Sequence, residues 1–308
     1  MMMKRTLALA VLAAVLVILF NGGQRESAGP VRIAVPFSVS SIPMLELNGK
    51  TIAGRKVDIT IFQDHSLTLA EFLRGDIDLL MTGFTQGTAA FAGNSDVRHV
   101  ATLVWGVSSI MVRDAGLKTL EDLAGKTLGV PFAKSPLDLQ TRVILEAKGL
   151  AGKVRLEYAP PQQAVALLLA GKLDAVALPE PLPSQLAAGG KAFRLARYQD
   201  LWADVTGGEP RSPQVSLFVL EPFARTHHEL MEGLIAAATS ATAAVTADPT
   251  RAADAEAPAF KLAPELVRQG LDNTLLALPG RAETSALIMD YLKRLELPAP
   301  GSSFFYGE

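Results

Sequence analysis

The stretch "LRGDIDLLMTGF" at Leu73–Phe84 returns in altered form as "LAGKLDAVALPE" at Leu169–Glu180. Each reads Leu-x-Gly-x-(Ile/Leu)-Asp, followed by a short apolar run that stops at a breaker. The glycine suits the left-handed turn that ends a helix, and the apolar run suits a strand covered on both faces. A chain that makes this helix-to-strand step twice is constrained toward two similar α/β units.

The surrounding pattern agrees. "VRIAVPF" (Val31–Phe37) and "KVDITIF" (Lys56–Phe62) alternate as strands, with Val57, Ile59 and Ile61 facing one way. "LTLAEFLRG" predicts an amphipathic helix closed by Gly75; "IDLLMTG" predicts a third strand, and "FTQGTAAFAG" starts another helix. The order then restarts with the strands "SSIMVRD", "TLGVPF", "VRLEYAP" and "LDAVALP". Between them lie helical stretches, one with Thr119 as its candidate cap and one opened by Ser135 as N-cap with Pro136 at N1. "VSLFVL" (Val215–Leu220) reads as a return strand, after which the chain is mostly helical and packs back on the first unit. The expectation is an α/β fold of two lobes, each a mostly parallel sheet flanked by helices. Residues 30–110 and 218–308 form lobe one and 111–217 lobe two, with extended crossings near Ile110–Val112 and Ser216–Val219.

The N-terminus carries "MMMKR" and then fifteen apolar or small residues, Thr6 to Phe20. That is the pattern of an export signal, somewhat short for a membrane span of about 20 residues. "NGGQRESAGP" has no clean small-x-small cleavage site and no lipoprotein cysteine, so residues 1–29 read either as a cleaved signal or as a retained anchor. A net charge of −2 without a long basic block gives no reason to expect a nucleic-acid partner. The absence of cysteine excludes disulfides, thiol catalysis and cysteine-ligated metal. The four histidines (His65, His99, His227, His228) have no H-E-x-x-H spacing, and neither metal nor cofactor is expected.

With these residues in this order, the chain resembles the type II periplasmic solute-binding proteins of ABC importers. The likeness is strongest to the branch serving nitrate, sulfonates, taurine and thiamine-precursor pyrimidines. It rests on "GDIDLLMTGFTQGTAAF", "GLKTLEDLAGKTLGVPFAKSP", "AVALLLAGKLDAVALPEP" and the N-terminus. The family's L-x-D-L-x-G-K-x-(I/L/V)-(G/A)-V pattern stands here as Leu120, Asp122, Leu123, Gly125, Lys126, Leu128, Gly129 and Val130. The resemblance implies a two-lobe periplasmic-binding-protein-like (type II) fold with two hinge crossings. It also implies a small-molecule ligand, an ABC permease in the membrane as partner, and a monomer exported to the periplasm or held at the outer face of the cytoplasmic membrane. Type II lobes also serve enzymes, so a dehydratase acting on a small carboxylate is the alternative. The related thiamine-pyrimidine synthases need a cysteine-rich segment, and this chain has no cysteine.

In an open α/β sheet, ligands meet the carboxyl ends of strands, where helix N-termini offer free N–H groups. The loops at those ends nominate Ser38, Ser40 and Ser41; Gly83, Phe84 and Thr85; Phe132, Lys134 and Ser135; and Glu180. Gly83 allows close backbone approach, and Thr85 offers either a ligand hydroxyl or a helix cap. Lys134 is the cation of these loops, a partner for a carboxylate, sulfonate or phosphate unless it is merely solvated. Glu180, between two prolines, suits an amine or pyrimidine N–H, or else a hinge-side salt bridge. Trp105 and Phe84 would stack on a planar ligand or fill the core. Trp202 is read as packing beneath lobe two.

Overall fold

The recurring helix-to-strand step has a mechanical explanation. We describe residues 29–307 in a computed structural model; the expected export signal or anchor lies outside the described residues. Helix His65–Arg74 ends at Gly75 with φ of 82°; the Gly75 N–H donates to Phe72 O and the Asp76 N–H to Glu71 O. Helix Pro161–Leu169 ends the same way: Gly171 (φ 69°) donates to Leu168 O and Lys172 to Leu167 O. This is the Schellman closure, whose left-handed residue is cheapest as glycine. The aspartates then fasten the following strand to its neighbour. Asp78 Oδ2 accepts the Arg32 N–H at 2.8 Å while Asp78 N–H donates to Arg32 O. Asp174 does the same with both backbone groups of Thr127.

Each step feeds a parallel core. In the first sheet, β4 (Leu79–Gly83) and β3 (Arg55–Phe62) flank β1 (Val31–Pro36) in parallel. In the second, β9 (Ala175–Pro179) and β8 (Arg155–Tyr158) flank β7 (Thr127–Val130). The remaining strands run antiparallel to their neighbours, so both sheets are mixed rather than mostly parallel. The first has the order β12-β5-β11-β4-β1-β3-β2, adding β2 (Thr51–Ile52), β5 (Val97–Gly106), β11 (Val215–Leu220) and β12 (Leu275–Leu276). The second has the order β10-β6-β9-β7-β8, adding β6 (Ser108–Val112) and β10 (Phe193–Arg197). The reversal has a simple cause: β6 and β11 enter their sheets from the opposite lobe, against the direction of the βα units.

The crossings lie outside the segments expected for them. Ser108–Val112 is a strand of the second sheet and Val215–Leu220 a strand of the first. The chain passes between lobes at Val107 and returns through residues 207–214. The return passage is tied to the end of β5, since Ser212 N–H donates to Trp105 O and Gln214 N–H to Val104 O, while Val107 O accepts the Glu180 N–H of lobe two. Gly106 packs so closely under Gln199 that an added Cβ would lie 2.8 Å from that side chain.

Helix His228–Ala247 is long and apolar enough to cross a membrane by length and composition alone. Here it buries Leu230, Met231, Leu234, Ala238, Ala241 and Val245 in the core of lobe one. Trp202, expected beneath lobe two, instead reaches across to lobe one and meets Tyr291 at 5.3 Å. Helices Leu182–Ala188, Tyr198–Thr206 and Pro249–Phe260, with β5 and β10, are among the elements that periodicity did not indicate.

Candidate functional site

The carboxyl ends of β1, β4, β7 and β9 converge on one open cleft of about 200 Å³. Lobe one contributes Phe37, Ser38, Ser40, His65, Gly83 and Gln86; lobe two contributes Phe132, Ser135, Glu180 and several prolines. Val107 and Gln214, from the two crossings, form its floor. Size does not single this cleft out. A cavity of about 280 Å³ lies beside β5, but its lining residues, among them Val100, Ile235, Arg281 and Tyr306, all come from lobe one. Contribution from both lobes and both crossings is what distinguishes the cleft.

On the lobe-one side polar atoms gather. Ser38 caps the short turn after β1 by accepting the Ser40 N–H, its Oγ 2.9 Å from Ser40 Oγ, and it reaches across the cleft to Glu180 O at 3.3 Å. Helix Phe84–Gly93 begins at Gly83 without a side-chain cap. Its Phe84 N–H goes to Gln214 O, leaving the following N–H groups of the first turn without intrahelical partners. Thr82 Oγ1 donates to Gln86 Oε1 at 2.9 Å, an arrangement that turns the Gln86 amide N–H groups outward. His65 is the first residue of its helix, edge-on to Phe62 at 5.0 Å. Its Nδ1 is buried without a hydrogen-bond partner among the described residues. Burial lowers the His65 pKa, opposed by neighbouring Asp64, so the imidazole is neutral at pH 7.

Behind Gln214 lies a buried polar network. Gln140 Nε2 donates to Ser212 Oγ at 2.8 Å, and Gln214 Nε2 donates to both Gln140 Oε1 and Ser212 Oγ. These groups join a helix of lobe two to the return crossing, so lobe movement must rearrange them together.

The residues nominated from sequence divide. Ser38, Ser40, Gly83, Phe132, Ser135 and Glu180 line the cleft. Ser135 also caps helix Pro136–Ala147 by accepting the Asp138 N–H. Ser41 is buried and donates to Pro36 O at 2.7 Å. Thr85 is buried with Oγ1 unpartnered among the described residues. Lys134 takes a positive φ of 62°, donates its backbone N–H to Asp138 Oδ2 and keeps an exposed side chain away from the lining.

Three expectations are corrected. Phe84 is wholly buried, its ring among His99, Tyr291 and Phe304. Trp105 is wholly buried and donates Nε1–H to Ala277 O at 3.1 Å. Neither has a face for a ligand, because the residue after a strand end turns back into the core when a helix starts there, and β5 is internal to its sheet. The Glu180 carboxylate is bonded into lobe two: Oε1 pairs with Arg194 at 3.0 Å and Oε2 accepts the Ser184 N–H. Burial raises its pKa while Arg194 pulls it down. Only its backbone edge remains for the cleft.

Phe37, His65 and Gln86 were missed although each lies at, or one turn beyond, the carboxyl end of a parallel strand. That rule, extended to β3 and to the residue directly after β1, would have found them. Gln214 precedes an antiparallel strand and carried no such signal. Among the described residues, no group of three or more His, Asp or Glu side chains is placed to hold a metal ion.

A family model described as the NMT1-like family matches residues 46–259. No curated protein matches the sequence. Solved structures match throughout the fold. The ligand-binding component of an ABC-type import system from Staphylococcus aureus, with zinc bound, has a TM-score of 0.76 at 16% identity, covering 90% of this chain and 96% of that one. The alkanesulfonate-binding protein from Xanthomonas axonopodis pv. citri, bound to MOPS, has a TM-score of 0.69 at 22% identity, covering 89% and 96%. The periplasmic nitrate-binding protein from Synechocystis PCC 6803 has a TM-score of 0.69 at 14% identity, covering 89% and 83%. At these identities the likeness establishes a shared two-lobe fold.

Proposed function

This chain belongs to the NMT1-like family, and we propose that it is the extracytoplasmic substrate-binding protein of an ABC importer. It captures a small organic or anionic solute, of the sulfonate or pyrimidine kind, between its lobes and presents it to a membrane permease. The protein acts as a monomer, exported to the periplasm or held at the outer face of the cytoplasmic membrane.

The observation that carries this reading is the cleft, lined from both lobes and floored by both crossings. A solute there touches both lobes only when they close, so its binding shifts the open–closed equilibrium without chemistry. The names of the structural neighbours, alkanesulfonate-binding and nitrate-binding among them, support the solute class. The enzyme alternative needed Glu180 as acid or base, and both of its oxygens are engaged by Arg194 and Ser184.

The test is a thermal-shift screen of the protein against sulfonates, nitrate, amino acids, pyrimidines and carboxylates. A ligand at about 100 times its Kd adds roughly 2.7 kcal/mol. A clear stabiliser recovered chemically unchanged is the expected result. A ligand that is consumed, or no stabiliser in any class, would overturn the proposal.

A further inference from the structure

The cleft holds two aromatic rings that the fold does not cover. Phe37 follows β1 in lobe one and Phe132 lies just beyond β7 in lobe two, yet both line the same opening, with 36% and 49% of their surface exposed. Large aromatics are among the side chains most strongly driven to burial, so one exposed ring on each facing lobe is a feature to explain. Phe260 packs against Phe37 at 5.5 Å and 64°, holding that ring in place.

The walls around them are stiff and apolar. Pro36, Pro131, Pro136, Pro161 and Pro179 line the cleft and, lacking N–H groups, donate nothing to it. Among the described lining residues there is no lysine or arginine, and the one carboxylate is neutralised by Arg194. At the lobe-one end the polar groups left for a ligand include donors, the Gln86 amide and the uncapped turn at Gly83. The space is sufficient: an enclosed apolar cavity of about 150 Å³ accommodates benzene, and the open cleft of about 200 Å³ leaves room for one ring and a small substituent.

We infer that the solute is a single-ring planar molecule, benzenoid or heteroaromatic, with one acceptor-rich polar head, stacked between Phe37 and Phe132. The inference rests on the binding-protein reading and narrows it. Because the rings belong to different lobes, the second face of the ligand is covered only on closure, and planarity is therefore read by the closing step. A saturated or tetrahedral solute would fill the space and forgo one or both stacking contacts.

Isothermal titration of the full chain with two matched pairs tests this: benzenesulfonate against hexanesulfonate, and benzoate against cyclohexanecarboxylate. The aromatic member of each pair should bind about tenfold more tightly. Phe37→Leu and Phe132→Leu should each cut the preference to about threefold by weakening only the aromatic member. Thermal unfolding of both variants controls for folding. Equal affinities within each pair, or equal losses on substitution, would overturn the clamp and leave the binding reading standing. No binding by either pair would also overturn it. In that case a stabiliser of another class in the thermal screen keeps the broader reading, and an empty screen removes both.

Discussion

His99 should make this fold acid-labile by a calculable amount. Its ring is fully buried among Phe84, Phe218, Phe304 and Phe305, stacked on Phe304 at 5.5 Å, with Nε2 joined to Thr102 Oγ1 at 2.9 Å. Burial pushes its pKa down to about 3. Unfolded, the same imidazole titrates near 6.5. The folded protein therefore refuses a proton that the unfolded chain accepts, and the resulting stability is complete above about pH 6.5 and lost as pH falls toward 3. At about pH 4.5 the unfolded form is two units below its pKa; at about 1.36 kcal/mol per unit the loss is roughly 2.7 kcal/mol. Urea unfolding followed by tryptophan fluorescence at about pH 7 and pH 4.5 reads this, since Trp105 and Trp202 are both buried. His99→Gln keeps a hydrogen-bonding group without the titration and serves as reference. The natural protein should lose roughly 2–3 kcal/mol more than the variant on acidification, because every other titratable group is the same in both. Equal losses would refute the argument that the aromatic cage keeps His99 neutral.

Arg194→Met leaves the Glu180 carboxylate, whose side chain is 0% exposed, without its cation. It should destabilise lobe two by about 3–5 kcal/mol at neutral pH, read from the urea midpoint, with a deficit that shrinks as the pH is lowered and the raised carboxyl takes a proton. A change below about 1 kcal/mol would remove this pair from the account. Ser38→Ala deletes the hydroxyl that spans the cleft to Glu180 O at 3.3 Å. It should weaken ligand affinity by about two- to tenfold in titration, with at most a small fall in the melting temperature of the free protein from the lost turn cap, and unchanged affinity would count against a role for this hydroxyl in lobe closure. Gly87→Ala would place a Cβ 2.0 Å from the Phe218 ring and should destabilise by about 1–3 kcal/mol. Gly93→Ala, with nothing within 4 Å, should be neutral or slightly stabilising in the same assay; similar effects for the pair would show that packing at β11 is looser than described.

The sequence by itself determined the repeating units. Leu-x-Gly-x-(Ile/Leu)-Asp is legible because its parts act locally: glycine takes the left-handed cap, the apolar run is covered on both faces, and the aspartate meets the first residues of the adjoining strand. The Ser135 cap and the capping box of Thr119 with Asp122 were readable for the same reason. The sequence also located most of the loops that reach the cleft, since strand ends and helix starts carry short-range signals.

Only the tertiary structure decided what those loops present. The direction of β6 and β11, the place of the crossings and the antiparallel share of both sheets depend on which lobe a strand enters from, which no local pattern records. Phe84 and Phe37 each follow a strand end, yet one is closed inside the core and the other opens on the cleft. Glu180 stands at the expected edge, but its carboxylate answers to Arg194, fourteen residues on in a different strand. Burial and pairing arise from elements distant in sequence, and they settle which side chains are left free to meet a ligand.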